Sequence, residues 1–209
     1  MKYHKIHSPF KRNTEGKLIL NDWAKPEFGY LCNNQWGFTE KVDGTNIRIY
    51  LEDRGVRFAG RTDAAQIPAT LIAKLSELFH DKTELMRRIF DKEDAVCLYG
   101  EGYGPKIQKG GGNYRNDQSF VLFDIRIGKW WLKRKDVLDV GKTLGLDVVP
   151  TIGHGTLFDM LELARRGFNS KWGDFPAEGL VARPLANLLD RAGNRITTKI
   201  KLKDFPLAE

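Results

Sequence analysis

Lys41-Val42-Asp43-Gly44 sets an amine, a carboxylate and a glycine in one short run, where a β segment gives way to a turn. An amine projecting from such a point can attack an electrophilic phosphorus; a lysine on an ordinary surface turn is only solvated. Protonation separates the two cases. With an intrinsic pKa of about 10.4, a free lysine is neutral in about one molecule in a thousand near neutral pH, so a nucleophilic one needs neighbouring positive charge or desolvation. The segment Ile196-Thr197-Thr198-Lys199-Ile200-Lys201-Leu202-Lys203 offers that charge. As a strand it places three lysines on one face and Thr198, Ile200 and Leu202 on the other, successive same-face lysines being about 7 Å apart. Two cations so spaced can grip one phosphate, whereas on a solvated edge strand they only discourage aggregation.

Three acidic segments lie between these two: Tyr99-Gly100-Glu101-Gly102, Phe123-Asp124-Ile125 and Glu178-Gly179-Leu180-Val181. Each is ordinary by itself, a carboxylate beside glycine reading as a turn and Phe123 as core. Together they complete what attack on a triphosphate needs: a nucleophile, cations on the transferred phosphoryl, carboxylates for a divalent ion, and an aromatic plane for a base.

Elements must position these groups. Alternation in residues 46–51 and 56–59 around Asp53-Arg54-Gly55 predicts a β-hairpin whose polar face carries Asn46 and Arg48. Helical spacing predicts helices over Ile67 to His80 and Thr83 to Phe90, then around Asp136 to Leu144 and Thr156 to Phe168. Strands are expected over Ser119 to Ile127, Gly179 to Arg183 and Arg195 to Lys203. Gly100 to Gly112, with Lys106 and Lys109, reads as a mobile glycine-rich loop. Trp130-Trp131 is expected to anchor a helix on the sheet, and His154 to be a turn residue; His4, His7 and His80 show no partner spacing. Irregular order of helices and strands points to an α+β fold with antiparallel sheets.

The 209 residues suit one domain, residues 1–209, and the formal charge of +7 favours a polyanionic partner. With neither a signal-like apolar run nor a membrane-length one, a cytoplasmic protein that avoids membranes is expected. Cys32 and Cys97 form no CxxC and read as inert core thiols.

From about Thr39 to Phe205 the chain resembles the covalent nucleotidyltransferases: RNA ligases, DNA ligases and mRNA capping enzymes. Lys41-Val42-Asp43-Gly44-Thr45-Asn46 looks like the nucleophile motif, with Glu40 and Asn46 pointing to the RNA ligase branch. Ala59-Gly60-Arg61-Thr62 is similar to the arginine motif, Tyr99-Gly100-Glu101 to the ribose-binding one, and Phe120 to Ile125 to the base-stacking one. Glu178-Gly179-Leu180-Val181 resembles the metal-associated motif, and Lys199-Ile200-Lys201 with Phe205 the closing lysine pair; all six occur in the family's order.

The resemblance implies an adenylyltransferase (nucleotidyltransferase) fold: two mainly antiparallel sheets flanking a nucleotide pocket, helices outside. Too little chain follows Lys201 for a C-terminal OB domain, which disfavours capping enzymes and typical DNA ligases. It implies an ATP-dependent polynucleotide ligase, acting on RNA more than DNA, that joins 5′-phosphate and 3′-hydroxyl ends through lysyl-AMP. Lys41 would take AMP, with Lys199 and Lys201 holding the α-phosphate. Glu101 would bind ribose, Phe123 would stack on adenine, and Glu40 belongs to the ATP-binding set. Glu178, helped by Asp124, would hold Mg2+ or Mn2+. Arg61 and Asn46 would position the nucleic-acid end or the moving phosphate. Lys106, Lys109 and Arg115 are candidates for the nucleic-acid backbone. Lys11 and Arg12 are candidates for pyrophosphate by charge alone, set against a solvated arm. Open alternatives are a non-catalytic binding module on this scaffold and a capping-type guanylyltransferase. Nicked duplex, DNA-containing strands and oligomeric state are open too.

Overall fold

The computed structural model describes residues 1–90 and 95–205. In chain order come β1 (Phe10–Arg12), β2 (Leu18–Trp23), α1 (Pro26–Tyr30), β3 (Trp36–Lys41), β4 (Thr45–Glu52), β5 (Gly55–Ala59), α2 (Ala69–Phe79) and α3 (Thr83–Ile89). Then follow β6 (Val96–Tyr103), β7 (Ser119–Ile127), β8 (Trp130–Trp131), α4 (Arg134–Leu144), β9 (Thr151–Gly155), α5 (Leu157–Arg166), β10 (Gly179–Pro184) and β11 (Thr198–Lys201). The chain divides into two compact units: Met1–Tyr3 with Asp43–Val149, and His4–Val42 with Pro150–Glu209.

The first unit holds a five-stranded sheet in the order β5-β4-β6-β7-β8. Ile47, Ile49, Leu98, Phe120, Leu122 and Ile125 form its apolar face, buried with Leu71, Leu75 and Phe79 of α2, Met86 of α3, and Val137 and Leu144 of α4. Period-two alternation requires the opposite face to carry Asn46, Arg48, Tyr99 and Glu101, and register pairs them as Asn46↔Glu101 and Arg48↔Tyr99.

The second unit holds a four-stranded sheet in the order β11-β10-β3-β9 and the β1-β2 hairpin. Trp36, Phe38, Leu180, Ala182 and Ile200 are buried with Leu157, Met160 and Ala164 of α5. That helix begins sharply because the Thr156 hydroxyl accepts the Asp159 N–H while the Asp159 carboxylate accepts the Thr156 N–H. Strand pairing in both sheets is antiparallel, as expected for an α+β chain.

Several expectations need correction. Gly100 and Gly102 belong to β6, so the loop begins at Gly104. A Cβ on Gly100 would lie 2.1 Å from the Phe120 ring, so close packing rather than mobility requires that glycine. Trp131 packs at 5.4 Å from Tyr99 and 5.5 Å from Tyr3, and Trp130 is exposed. His154 lies in β9, opposite Gly37 of β3. The last strand ends at Lys201, and Lys203 falls in a 3-10 turn, off the lysine face. Lys11 and Arg12 lie in β1, paired with Asp22 and Asp204. Cys97 is buried, which pushes its thiol up to about 11, while Cys32 is only half-buried; both are free. Among the described residues no helix is long and apolar enough to cross a membrane.

Candidate active site

The lysine face of the second unit follows from register. Gly179 on the central strand β10 pairs with Lys41 of β3 on one side and Lys201 of β11 on the other. Paired residues of adjacent strands project to the same face, so the two lysines flank a position without a side chain. Glu178, just before β10, ties them together. Lys41 Nζ donates to its Oε2 at 2.5 Å, and Lys201 Nζ lies 2.7 Å from its Oε1, close enough for ion pairing though not aligned as a hydrogen bond. These side chains are partly buried, with 18% of Lys41, 13% of Glu178 and 32% of Lys201 still exposed, so the cluster remains open to a small anion. Lys199 shares the face one row along, paired with Val181, which in turn pairs with Thr39.

Gly179 permits this arrangement. A Cβ there would lie 2.0 Å from the Ile200 carbonyl oxygen and 2.8 Å from Lys201 Cα, backbone atoms that cannot swing aside. Gly179→Ala is therefore expected to cost about 1–3 kcal/mol, as overpacking does, and to push β11 away from β3. Thermal melts should show the loss, and a wild-type melting temperature would count against this packing.

Glu40 faces the other way. It is 1% exposed, and its carboxylate accepts the Ser170 hydroxyl at 2.6 Å and the Lys171 N–H at 2.9 Å. Burial raises its pKa, and these two hydrogen bonds oppose the rise without cancelling it. The side chain thus fastens the loop that leads to Glu178 onto the strand that ends in Lys41. The sequence carries no signal for this contact, which spans 130 positions.

In the first unit, Asn46 and Glu101 are cross-strand neighbours, and the Asn46 side-chain oxygen is buried with no hydrogen-bond partner among the described residues. Asp124 is paired with Tyr99, but Leu122 is paired with Gly100, so Phe123 is the extra residue of a β-bulge. Bulges re-aim side chains. Phe123 is half-buried between strand neighbours that are buried. The Asp43-Gly44 turn is clamped by the following loop: Asp43 N–H donates to the Tyr114 hydroxyl at 3.2 Å, and the Gln108 side chain donates to the Gly44 carbonyl at 3.1 Å. A Cβ on Gly44 would meet the Gly102 carbonyl at 2.2 Å, which explains the glycine. Arg48 is 1% exposed and donates to the Gly60 carbonyl, the Tyr50 hydroxyl and Asp63, bracing the turn that presents exposed Arg61.

The basic candidates separate. Lys106 and Lys109 are exposed, whereas the Arg115 guanidinium bonds Asp117 at 2.5 Å and stacks over Tyr103. Arg115 therefore shapes the loop.

The carboxylates bear on a divalent ion. Among the described residues no group of three or more His, Cys, Asp or Glu side chains could hold a metal. An ion such as Mg2+ keeps several waters and leans on one or two carboxylates. Glu178, partly exposed beside two lysines, fits that role. Asp124 fits it less well: it is wholly buried, its Oδ2 accepts the Tyr3 hydroxyl at 2.9 Å, and its Oδ1 accepts the Ile125 N–H.

A family model described as RNA ligase matches residues 34–201. Among solved structures, an apo mutant of Naegleria gruberi RNA ligase is similar with a TM-score of 0.66 at 20% identity, over 97% of this chain and 57% of that one. A mutant of that ligase with AMP and Mn gives 0.64 at 20% identity, over 84% and 52%. The ligase with PPi gives 0.64 at 18% identity, over 95% and 61%. The likeness is one of fold, and this chain spans between 52% and 61% of those three chains. Comparison of the sequence with curated proteins found no match.

Proposed function

Since the chain belongs to the RNA ligase family, whose model covers residues 34–201, we propose that it is an ATP-dependent RNA ligase that seals 5′-phosphate to 3′-hydroxyl ends through AMP carried on Lys41. The observation that carries this reading is the convergence of Lys41 and Lys201 on Glu178 across Gly179. A nucleophile and a phosphate-gripping cation share one row there.

Lys41 Nζ, once deprotonated, attacks the α-phosphorus of ATP. A P–N bond forms and pyrophosphate leaves. Until then Glu178 Oε2 fixes where the amine points, and the protons that the amine sheds leave with pyrophosphate and solvent. Lys201, with Lys199 one row on, offsets the charge that builds on the α-phosphate. An oxygen of the RNA 5′-phosphate then attacks the same phosphorus; the P–N bond breaks and the 5′ end becomes adenylylated. Attack by the 3′-hydroxyl on the 5′-phosphorus forms the phosphodiester and releases AMP. A Mg2+ or Mn2+ ion held by Glu178 would supply neutralisation of phosphate charge. In the first unit, Glu101 receives the ribose, Phe123 stacks on adenine, and Asn46 and Arg61 engage the phosphate or the RNA end. We leave the Glu40 carboxylate out of the ATP contacts, because Ser170 and Lys171 occupy it, and Asp124 out of the metal set, because Tyr3 does.

Lys106 and Lys109 are the loop cations we assign to the RNA backbone. A sealing assay with 5′-phosphorylated RNA and DNA, nicked and single-stranded, with ATP or GTP and magnesium or manganese, tests the reading. RNA joining that depends on ATP is expected. Preference for GTP would favour a guanylyltransferase, and RNA binding without adenylylation a non-catalytic module. Neutralising Lys106 and Lys109 together should lower the salt slope of RNA binding by about one to two; an unchanged slope removes those two residues from the interface.

A further inference from the structure

Tyr3 lies at a crossing of contacts that the proposed reaction does not use. Its side chain belongs to the first unit, forty positions away from the rest of it in sequence, and is only 6% exposed. The hydroxyl donates to Asp124 Oδ2 at 2.9 Å. The ring meets three others edge-on: Tyr99 at 4.9 Å, Phe123 at 5.3 Å with planes 80° apart, and Trp131 at 5.5 Å. The segment that carries it is tied down separately, because the Met1 carbonyl accepts both the Tyr50 hydroxyl at 3.1 Å and the Tyr99 hydroxyl at 3.2 Å.

Phe123 needs such a support. As the extra residue of the β7 bulge it is re-aimed relative to the ladder, and an aromatic ring offered to a base stacks well only in a set plane. A neighbour held 5.3 Å away with its plane 80° from that of Phe123 limits how the Phe123 ring can tilt. Asp124, the next residue, is bonded to the same tyrosine, so one side chain braces both residues at the bulge.

Resting on the reading of Phe123 as the adenine-stacking residue, we infer that Tyr3 is a positioning residue for ATP: its ring, packed nearly perpendicular to that of Phe123, sets the plane in which Phe123 receives the base. Tyr3 does not touch the reacting atoms.

The test is the KM for ATP and the maximal rate of lysyl-AMP formation in full-length Tyr3→Leu, Tyr3→Phe, Phe123→Ala and the double variant Tyr3→Leu with Phe123→Ala, each checked for folding by circular dichroism. Leucine keeps apolar volume at position 3 but removes the ring. Tyr3→Leu should raise the KM about threefold to tenfold and change the maximal rate less than about twofold. Phe123→Ala should raise the KM more than about fivefold, and in that background Tyr3→Leu should add nothing. Tyr3→Phe, which loses only the hydroxyl, should stay within about twofold of wild type. If Phe123→Ala raises the KM and Tyr3→Leu leaves it unchanged, or if the two effects multiply in the double variant, the assignment to Tyr3 is overturned while the stacking reading survives. A KM rise of about threefold or more in Tyr3→Phe overturns the role of the ring, and serves as the test should Tyr3→Leu fail to fold. A Phe123→Ala enzyme with wild-type KM removes the stacking reading and this inference with it.

Discussion

Lys41→Ala protein incubated with ATP and manganese is expected to acquire no AMP, a loss of about four orders of magnitude or more in labelling rate, as removal of a covalent nucleophile entails. The fold should tolerate the change. Lys41 is the last residue of β3, so no strand pairing beyond it is disturbed, and Glu178 keeps a cation within 2.7 Å through Lys201. Lys41→Arg sharpens the test: a guanidinium retains the charge beside Glu178 but stays protonated, so it too should carry no AMP. An RNA already adenylylated at its 5′ end bypasses the lysine, and both variants should still seal it, which separates a lost nucleophile from a lost fold. AMP found on Lys41→Ala protein would sink the proposal that this amine is charged.

Lys201→Ala should slow lysyl-AMP formation by about 100- to 1,000-fold, the effect of removing one preorganised charged donor from a developing anion. Lys199→Ala should cost about tenfold. The two lysines look equivalent in the sequence, but the sheet separates them. Lys201 shares a row with Lys41 through Gly179, whereas Lys199 lies on the row of Val181 and Thr39, about 7 Å farther along the strand. The Lys201 amine lies 2.7 Å from Glu178 Oε1. Rapid-quench labelling at saturating ATP gives the comparison, and equal or reversed losses would refute the argument from register.

Much of the local structure could be read from residues alone. The β4-β5 hairpin was legible because alternation of Ile47, Ile49 and Leu51 with polar neighbours meets a turn at Asp53-Arg54-Gly55. β7 runs from Ser119 to Ile127 as its β-branched and aromatic run requires, and α4 ends at Gly145 in a left-handed conformation that suits glycine. Other elements left no local trace. β9 contains two glycines in five residues, Thr151-Ile152-Gly153-His154-Gly155, and is a strand only because β3 offers it an edge to pair with. The bulge at Phe123 arises from how β6 and β7 align, which neither strand encodes by itself.

By itself the sequence determined which chemistry was available: one lysine before Val-Asp-Gly, a lysine pair near the far end of the chain, and carboxylates and an aromatic residue between them in order. Residue type and short-range periodicity are local properties, and a sequence displays them directly. Only the tertiary structure decided which of these groups meet. It placed Lys41 and Lys201 about two strand spacings apart, turned the Glu40 carboxylate toward Ser170, and fastened Asp124 to Tyr3. Register between strands more than a hundred residues apart is chosen by the burial of whole faces, and shifting one strand by a single residue would send every one of these side chains to the opposite face.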